Sequence, residues 1–270
     1  MKVTNVKYSE SPVQISNHFH DCHQILYILK GKISAIIEGE EREVSEGDFL
    51  ILNRFEEHSI KASGVECFRY TLRISDDGGE SSYGELANLA EGLITRAKGY
   101  GNILPVKIYK EAIEAILSEL LEEARGELEL SEAAVELLFQ KLLLFLYRER
   151  PDVMVRDEGG NYDLIRNIKR KLEVDFGERI TLLSLAQEYH VSPSYLSHIF
   201  KRETGYAPID YLMASRISAA KRLLSSTEKS VKEIVFLCGF GDESNFSRMF
   251  KKRTGASPSE FRRKYNSKSR

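Results

Sequence analysis

The chain has 270 residues, 42% hydrophobic and 30% charged, a length that predicts two domains with apolar content enough for two ordinary cores. Its net charge of −2 conceals an asymmetry: residues 1–160 carry 18 Lys and Arg against 29 Asp and Glu, whereas residues 161–270 carry 21 against 12. The basic half (+9) is the electrostatic footprint of a phosphate-bearing partner, and the acidic half (−11) is expected to stay off nucleic acid.

Residues 24–29, 33–37, 41–44, 49–52 and 67–74 are short β-rich runs, punctuated by Gly31, Gly39 and the Glu46-Gly47-Asp48 turn. Even spacing of short strands predicts a small barrel or jelly roll over 1–76. The string H-F-H-D-C-H-Q-I-L-Y-I-L-K-G resembles the first motif of the cupins. That resemblance places His18, His20 and Gln24 on the family's metal-ligand positions, with Gly31 as its closing glycine, and Gly47 and His58 on the second motif. Gln24 stands where a Glu is usual, and Asn53 and Phe55 stand where Pro and Gly are usual. Strand alternation would put His18 and His20 on one face, and imidazole suits Zn, Fe, Cu and Ni. A neutral Gln is a poorer ligand than a carboxylate. The expectation is therefore no cofactor, with His18, His20, Gln24 and His58 lining a pocket for an organic effector or hydrogen-bonded at a barrel mouth. A metal ion on His18, His20 and His58 is the lesser alternative.

A polar break at 76–82 precedes a segment, 77–150, read as helical. A short helix is expected near 83–98, a Gly-rich turn at 99–102, and longer helices over 106–125 and 131–150. The last opens with Ser131 as its expected cap and ends in cations, matching the helix dipole. Its apolar residues (Leu137, Leu138, Phe139, Leu142, Leu143, Leu144, Phe145, Leu146) are too many for one stripe, so it is expected to pack on two sides. One side would cover the barrel, and the other would either meet a second subunit or pack inside the monomer. P-D-V-M-V-R-D-E-G-G at 151–160 reads as a linker.

The remainder, 161–266, opens with an amphipathic helix over 162–176, whose K-R-K run at 169–171 is expected to be solvated. It then repeats itself. S-P-S-Y-L-S-H-I-F-K-R-E-T-G-Y-A-P begins at Ser192, and D-E-S-N-F-S-R-M-F-K-K-R-T-G-A-S-P begins at Asp242; seven of seventeen aligned positions are identical. Each copy reads as a helix with an N-cap (Ser192, Asp242) and a stopping glycine (Gly205, Gly255). Apolar residues fall at 196, 199 and 200, and at 246, 249 and 250, one face of a helix. The opposite stripe carries Ser194, Ser197, His198 and Lys201, and in the second copy Ser244, Ser247, Arg248 and Lys251. A short apolar helix and a tight turn precede each copy, the second turn one residue longer. This is the helix-turn-helix pattern, at about 181–204 and 231–254, whose second helix enters the major groove. A helix over 209–224 would span about 24 Å, and with its flanking units can bridge a DNA turn of roughly 34 Å. The basic tail 261–270 would add non-specific affinity.

L-A-Q-E-Y-H-V-S-P-S-Y-L-S-H-I-F-K-R-E-T-G, R-I-S-A-A-K-R-L-L and I-V-F-L-C-G-F-G-D-E-S-N-F-S-R-M-F-K-K-R-T-G-A-S-P-S-E-F-R resemble the DNA-binding domain of the AraC/XylS family of bacterial transcription regulators. The resemblance implies two helix-turn-helix units reading successive major grooves, and a cupin-like domain acting as sensor. The expected architecture is α+β and multidomain: a jelly-roll sensor, helices that cover it, and an all-α DNA-binding domain. The expected function is sequence-specific regulation, with a lean to activation, under a small effector such as a sugar. Expected partners are an operator duplex, the effector, a second copy of the chain and RNA polymerase. Ser194, Ser197, His198 and Lys201, with Glu243, Ser244, Ser247, Arg248 and Lys251, are the expected DNA contacts, Arg248 reading a base and Lys201 and Lys251 holding phosphate. Catalysis is not expected; a metal-dependent cupin enzyme and an effector-independent DNA binder are the alternatives. The first residues lack the apolar stretch of a secretory signal, Cys22, Cys67 and Cys238 form no paired framework, and no apolar run is long enough to span a bilayer. A cytoplasmic setting, on the nucleoid, is therefore expected.

Overall fold

A computed structural model describes residues 2–10, 14–37, 39–75, 86–94, 102–126, 128–151 and 161–266. The chain divides into two compact units, Met1–Asp157 and Glu158–Arg270.

The first unit is built on seven antiparallel strands: β1 (Lys2–Ser9), β2 (Gln14–His18), β3 (His23–Ile37), β4 (Glu40–Ser45), β5 (Asp48–Leu52), β6 (His58–Ser75) and β7 (Ile103–Pro105). The long strands β3 and β6 pair with each other and share out the rest. The start of β3 pairs with β5 and its end with β4; the start of β6 pairs with β2 and its end with β1. Between the halves, the register shifts at Ile28/Lys30 and Gly31/Ile33. Gly31 sits there at φ +87°, and a Cβ on it would lie 2.3 Å from the Glu66 carbonyl oxygen, so only glycine fits this bulge. The two runs expected at 24–29 and 33–37 are thus one strand carried through a bulge.

Both faces of the sheet are covered. Leu26, Ile28, Ile33, Ala35, Ile37, Leu50, Leu52 and Ile60 form one buried cluster. Their alternates Ile25, Tyr27, Phe49, Ile51, Leu72 and Ile74 pack with Leu93 of α1 (Ala87–Ile94), with Ile113, Ile116, Leu117 and Leu120 of α2 (Lys110–Glu123), and with Phe139, Leu142, Leu143 and Leu146 of α3 (Ser131–Glu149). Burial on both sides is why these strands read as unbroken apolar runs.

Three expectations change here. β1 and β2 had no apolar alternation to announce them (K-V-T-N-V-K-Y-S and Q-I-S-N-H) and are held by pairing with β6. The segment read as wholly helical contributes β7, which extends the sheet at β5 by pairing Asp48 with Pro105 and Leu50 with Ile103. Ser131 is not a cap. Leu130 enters α3 in the left-handed region at φ 64°, which places Ser131 inside the helix with its hydroxyl buried and unpartnered. The break at 76–82, the ends of the helix expected at 83–98 and the linker residues 152–160 lie outside the described residues.

α2 begins at a Tyr109 cap whose side chain makes no capping bond. Glu149, at the end of α3, supplies the missing acceptor: its carboxylate takes hydrogen bonds from the backbone N–H groups of Lys107 (2.8 Å), Ile108 (3.0 Å) and Tyr109 (3.0 Å). The Tyr27 hydroxyl donates to Glu114 at 2.7 Å, tying β3 to α2.

The second unit is helical: α4 (Tyr162–Val174), α5 (Leu182–Glu188), α6 (Pro193–Thr204), α7 (Pro208–Ser226), α8 (Val231–Leu237), α9 (Glu243–Thr254) and α10 (Pro258–Asn266). The 19-residue α7 is the central rod, about 28 Å long at 1.5 Å per residue. It is longer at both ends than the 209–224 expected, starting at buried Pro208 in the first helical position. Arg216 on α7 is buried; its Nε donates to the Phe176 carbonyl (2.8 Å) and its Nη2 to that of Glu178 (2.7 Å). Burial pulls its pKa down, and the two carbonyls take up its N–H groups.

Candidate nucleic-acid interface and ligand site

The repeat in the sequence is a repeat in structure, down to single hydrogen bonds. Ser192 and Asp242 cap α6 and α9, accepting from the backbone N–H of Tyr195 (3.2 Å) and Asn245 (2.6 Å). Gly205 and Gly255 end the helices at φ 81° and 77°. The Thr204 hydroxyl donates to the Phe200 carbonyl at 2.7 Å, and that of Thr254 to the Phe250 carbonyl at 2.8 Å. The short helices α5 and α8 carry a capping box each, Thr181 with Ser184 and Ser230 with Glu233. The turns match as well: Val191 N–H donates to the Ala186 carbonyl (2.9 Å) and Phe240 N–H to that of Val235 (3.0 Å). Each turn contains one left-handed residue, His190 at φ 55° and Gly239 at φ 70°.

Leu196, Ile199 and Phe200 are the buried back of α6, and Phe246 and Phe250 that of α9. On the fronts, Ser194, His198, Lys201, Glu243, Ser244, Arg248 and Lys251 are exposed, and Ser197 and Ser247 half-buried. The two helices therefore present four pairs of candidate contact residues at equivalent positions, small side chains and cations together, with Glu243 added on the second. The Arg248 guanidinium donates to the Asn245 carboxamide at 3.1 Å, one turn earlier on the same face. The residue equivalent to Asn245 is Tyr195, whose hydroxyl donates instead to Asn161 at 2.6 Å, at the start of α4. Neither Asn245 nor Tyr195 was singled out from sequence, although both sit between the expected contacts. Lys252 and Arg253 add cations to the end of α9.

In the sheet unit, His18, His20 and His58 come together, with one ring nitrogen from each within 4.8 Å of the others. Alternation along a strand is not what unites them, because β2 ends at His18 and His20 lies beyond it. The β2–β6 register places His18 opposite His58, and the turn after β2 brings the His20 Nε2 to 3.0 Å from the His18 Nε2. The Nδ1 atoms of His18 and His58 each lie 2.9 Å from a backbone carbonyl, of Ser16 and Glu56. A carbonyl only accepts, so both Nδ1 atoms carry the hydrogen, and in the neutral ring Nε2 is the lone-pair nitrogen. Burial lowers the His58 pKa to about 4, opposed by its bond to the Glu56 carbonyl and helped by His18. Its Nε2 is buried without a hydrogen-bond partner, and so is the Oε1 of Gln24. Gln24 does not pair with the histidine strands' ends; it stands opposite Leu52 and Arg73 and shares its face of β3 with Leu26 and Ile28.

Residues 12–77 match the model of the AraC-like ligand binding domain, and residues 185–264 that of a helix-turn-helix domain. Over 250 residues the chain is 26% identical to the HTH-type transcriptional activator RhaS of Salmonella schwarzengrund, covering 91% of this chain and 86% of that protein. Over 104 residues it is 38% identical to the uncharacterized HTH-type transcriptional regulator YijO of Escherichia coli, covering 38% of this chain and only 37% of YijO. The fold is similar to that of Vibrio cholerae ToxT crystallised with an unsaturated fatty acid, at a TM-score of 0.62 and 16% identity over 97% of each chain. Fold and sites define a two-part transcriptional regulator, with a ligand-binding domain ahead of a helix-turn-helix DNA-binding domain. The chain thus carries an AraC-like ligand binding domain and a helix-turn-helix domain, which together take in more than half of its residues.

Proposed function

We propose that the protein activates transcription from a duplex operator in response to a small effector held in its sheet unit. The observation that carries the DNA half is the matched pair of capped helices, whose exposed fronts hold Ser194, Ser197, His198 and Lys201, and Glu243, Ser244, Ser247, Arg248 and Lys251. In this reading Arg248 forks onto a base and Lys201 and Lys251 hold phosphate. Its relative RhaS is named an activator, which favours activation, with RNA polymerase as the further partner. Hydroxyl-radical footprinting tests the DNA half. The expected result is protection of two groove segments about one helical turn apart per protomer; a single protected segment would count against it.

For the sensor half, His18, His20, Gln24 and His58 are the proposed effector residues. The supporting observation is a pair of buried polar atoms without partners, Gln24 Oε1 and His58 Nε2, on faces otherwise lined with aliphatic side chains. A domain of this kind shifts operator affinity only through an effector that favours one of its states over another. The outer side of α3, where Leu137 is 66% exposed, and the exposed Leu128 and Leu130 beside it favour a homodimer assembled through this hairpin. No helix among the described residues is long and apolar enough to cross a membrane, in keeping with a cytoplasmic regulator.

A further inference from the structure

The two helix-turn-helix units are joined by the rod α7, and they also meet directly, around Arg216. This residue sits near the middle of α7 and is 7% exposed. Its two hydrogen bonds reach back to the Phe176 and Glu178 carbonyls, in the segment that runs from α4 into the Thr181 cap of α5. The same guanidinium lies over the Phe240 ring, 5.8 Å from its centroid, in the turn of the second unit. Phe240 in turn packs against Phe246 of α9, with 5.0 Å between ring centroids. Backbone approaches backbone there too. A Cβ on Gly239 would lie 2.7 Å from the Gly177 carbonyl oxygen and 2.9 Å from that of Phe176, and a Cβ on Gly177 would lie 3.0 Å from that of Leu237. The approach to the first unit and the turn of the second are thus seated on each other around one buried cation.

We propose that Arg216 is a positioning residue that fixes the separation and angle of α6 and α9, and so makes the protein selective for the spacing of two half-sites. The guanidinium is a planar fork with donors in fixed directions, so bonds to two carbonyls hold the α4–α5 segment in orientation as well as in place. Because Arg216 is buried, leaving those bonds unmade strands polar groups away from water, which makes the seated arrangement the favoured one. The seating is one-sided. His190, the equivalent of Gly239 in the first unit, is exposed in its turn, so the motif itself does not require a docked turn. The inference rests on the two-groove reading, in which the distance from α6 to α9 must match that between successive major grooves. It adds to that reading a residue that touches no base and yet decides which operators fit.

The test uses the full-length protein and a duplex selected by the wild type from a random pool, remade with one base pair inserted or removed between its two protected segments. One base pair moves the far segment by roughly 3.4 Å and turns it by roughly 35°. The wild type should lose at least about tenfold in affinity on either change, the scale of a lost base contact. Arg216→Gln, which cannot bridge both carbonyls, should bind the selected duplex more weakly but lose less than about threefold on the altered ones. Its base preference within each segment should stay that of the wild type. Gly239→Ala forces the two backbones apart with Arg216 in place, and should relax the spacing preference in the same direction. Melting curves establish that each variant folds. A folded Arg216→Gln protein with the wild-type spacing ratio, however much weaker its binding overall, overturns the positioning role. If Arg216→Gln does not fold, a folded Gly239→Ala protein with that ratio overturns it instead. A wild-type protein indifferent to spacing overturns the two-groove reading, and the positioning role with it.

Discussion

The two helix-turn-helix units share a scaffold and two serines and a lysine on their fronts, and differ at a few outward positions. Caps, stopping glycines, buried Phe200 and Phe250, and the threonine hydroxyl bonds recur at the same positions. The fronts differ: α6 offers His198 and Lys201, whereas α9 offers Glu243, Arg248 and Lys251, with Asn245 holding the arginine. The turns differ too. His190 takes its left-handed backbone in an exposed turn, but a Cβ on Gly239 would meet the Gly177 and Phe176 carbonyls and the Arg216 guanidinium at 2.7–2.9 Å. Positions that build the motif are held by packing and hydrogen bonding, and positions that face outward are open to different contacts.

If the scaffolds are equivalent, their anchors should cost alike. Phe200→Ala and Phe250→Ala are each expected to destabilise the second unit by about 3–5 kcal/mol, read from denaturant midpoints; one costing under half the other would break the equivalence. The turns should separate instead. Gly239→Ala is expected to cost more than about 1 kcal/mol, because strain at positive φ adds to the close approach, whereas His190→Gly should be neutral or slightly stabilising. A Gly239→Ala protein with wild-type melting behaviour would remove the close approach as a constraint.

On the DNA side, Arg248→Ala should cost about 1–3 kcal/mol and relax preference at one operator position; unchanged preference in a binding-site selection would remove it as a base reader. Lys201→Ala and Lys251→Ala should weaken all sequences alike and each flatten the salt dependence by about one phosphate contact. The smallest expected effect comes from the caps. Glu233 has its pKa lowered by hydrogen bonds from the Ser230 hydroxyl and N–H, whereas the matching Ser184 in the first unit does not titrate in this range. A depressed carboxylate pKa contributes stability above its unfolded value that is lost as pH falls through the folded one. Acidification below about pH 4.5 should therefore loosen α8 before α5, and amide exchange at the two helix starts would detect it; simultaneous loosening would refute the contrast.

The helical unit was legible because its signals are local: a cap, three apolar positions on one face and a glycine, all within fourteen residues of Ser192 or Asp242. The sheet unit was legible only where burial on two sides made strands apolar. β1 and β2 carry no such mark, and β7 is three residues long, so nothing nearby in sequence distinguished them. The histidine motif could be seen at His18, His20 and His58, but what gathers it is a pairing between β2 and β6 forty residues apart in the chain. The capping box at Ser230 was open to a pattern search, since S-x-x-E ahead of an apolar run marks a helix start. Arg216 was not, because its partners are carbonyls about forty residues upstream.

β3 carries the buried Leu26 and Ile28 on the same backbone as Tyr27, which faces the other way and reaches Glu114 on α2. Alternate residues of one strand cannot move independently. The face that carries Leu26 and Ile28 is thereby linked to α2 through the Tyr27 hydroxyl. Glu149 of α3 holds three N–H groups at the start of α2, so both helices are joined to β3 by hydrogen bonds as well as by packing.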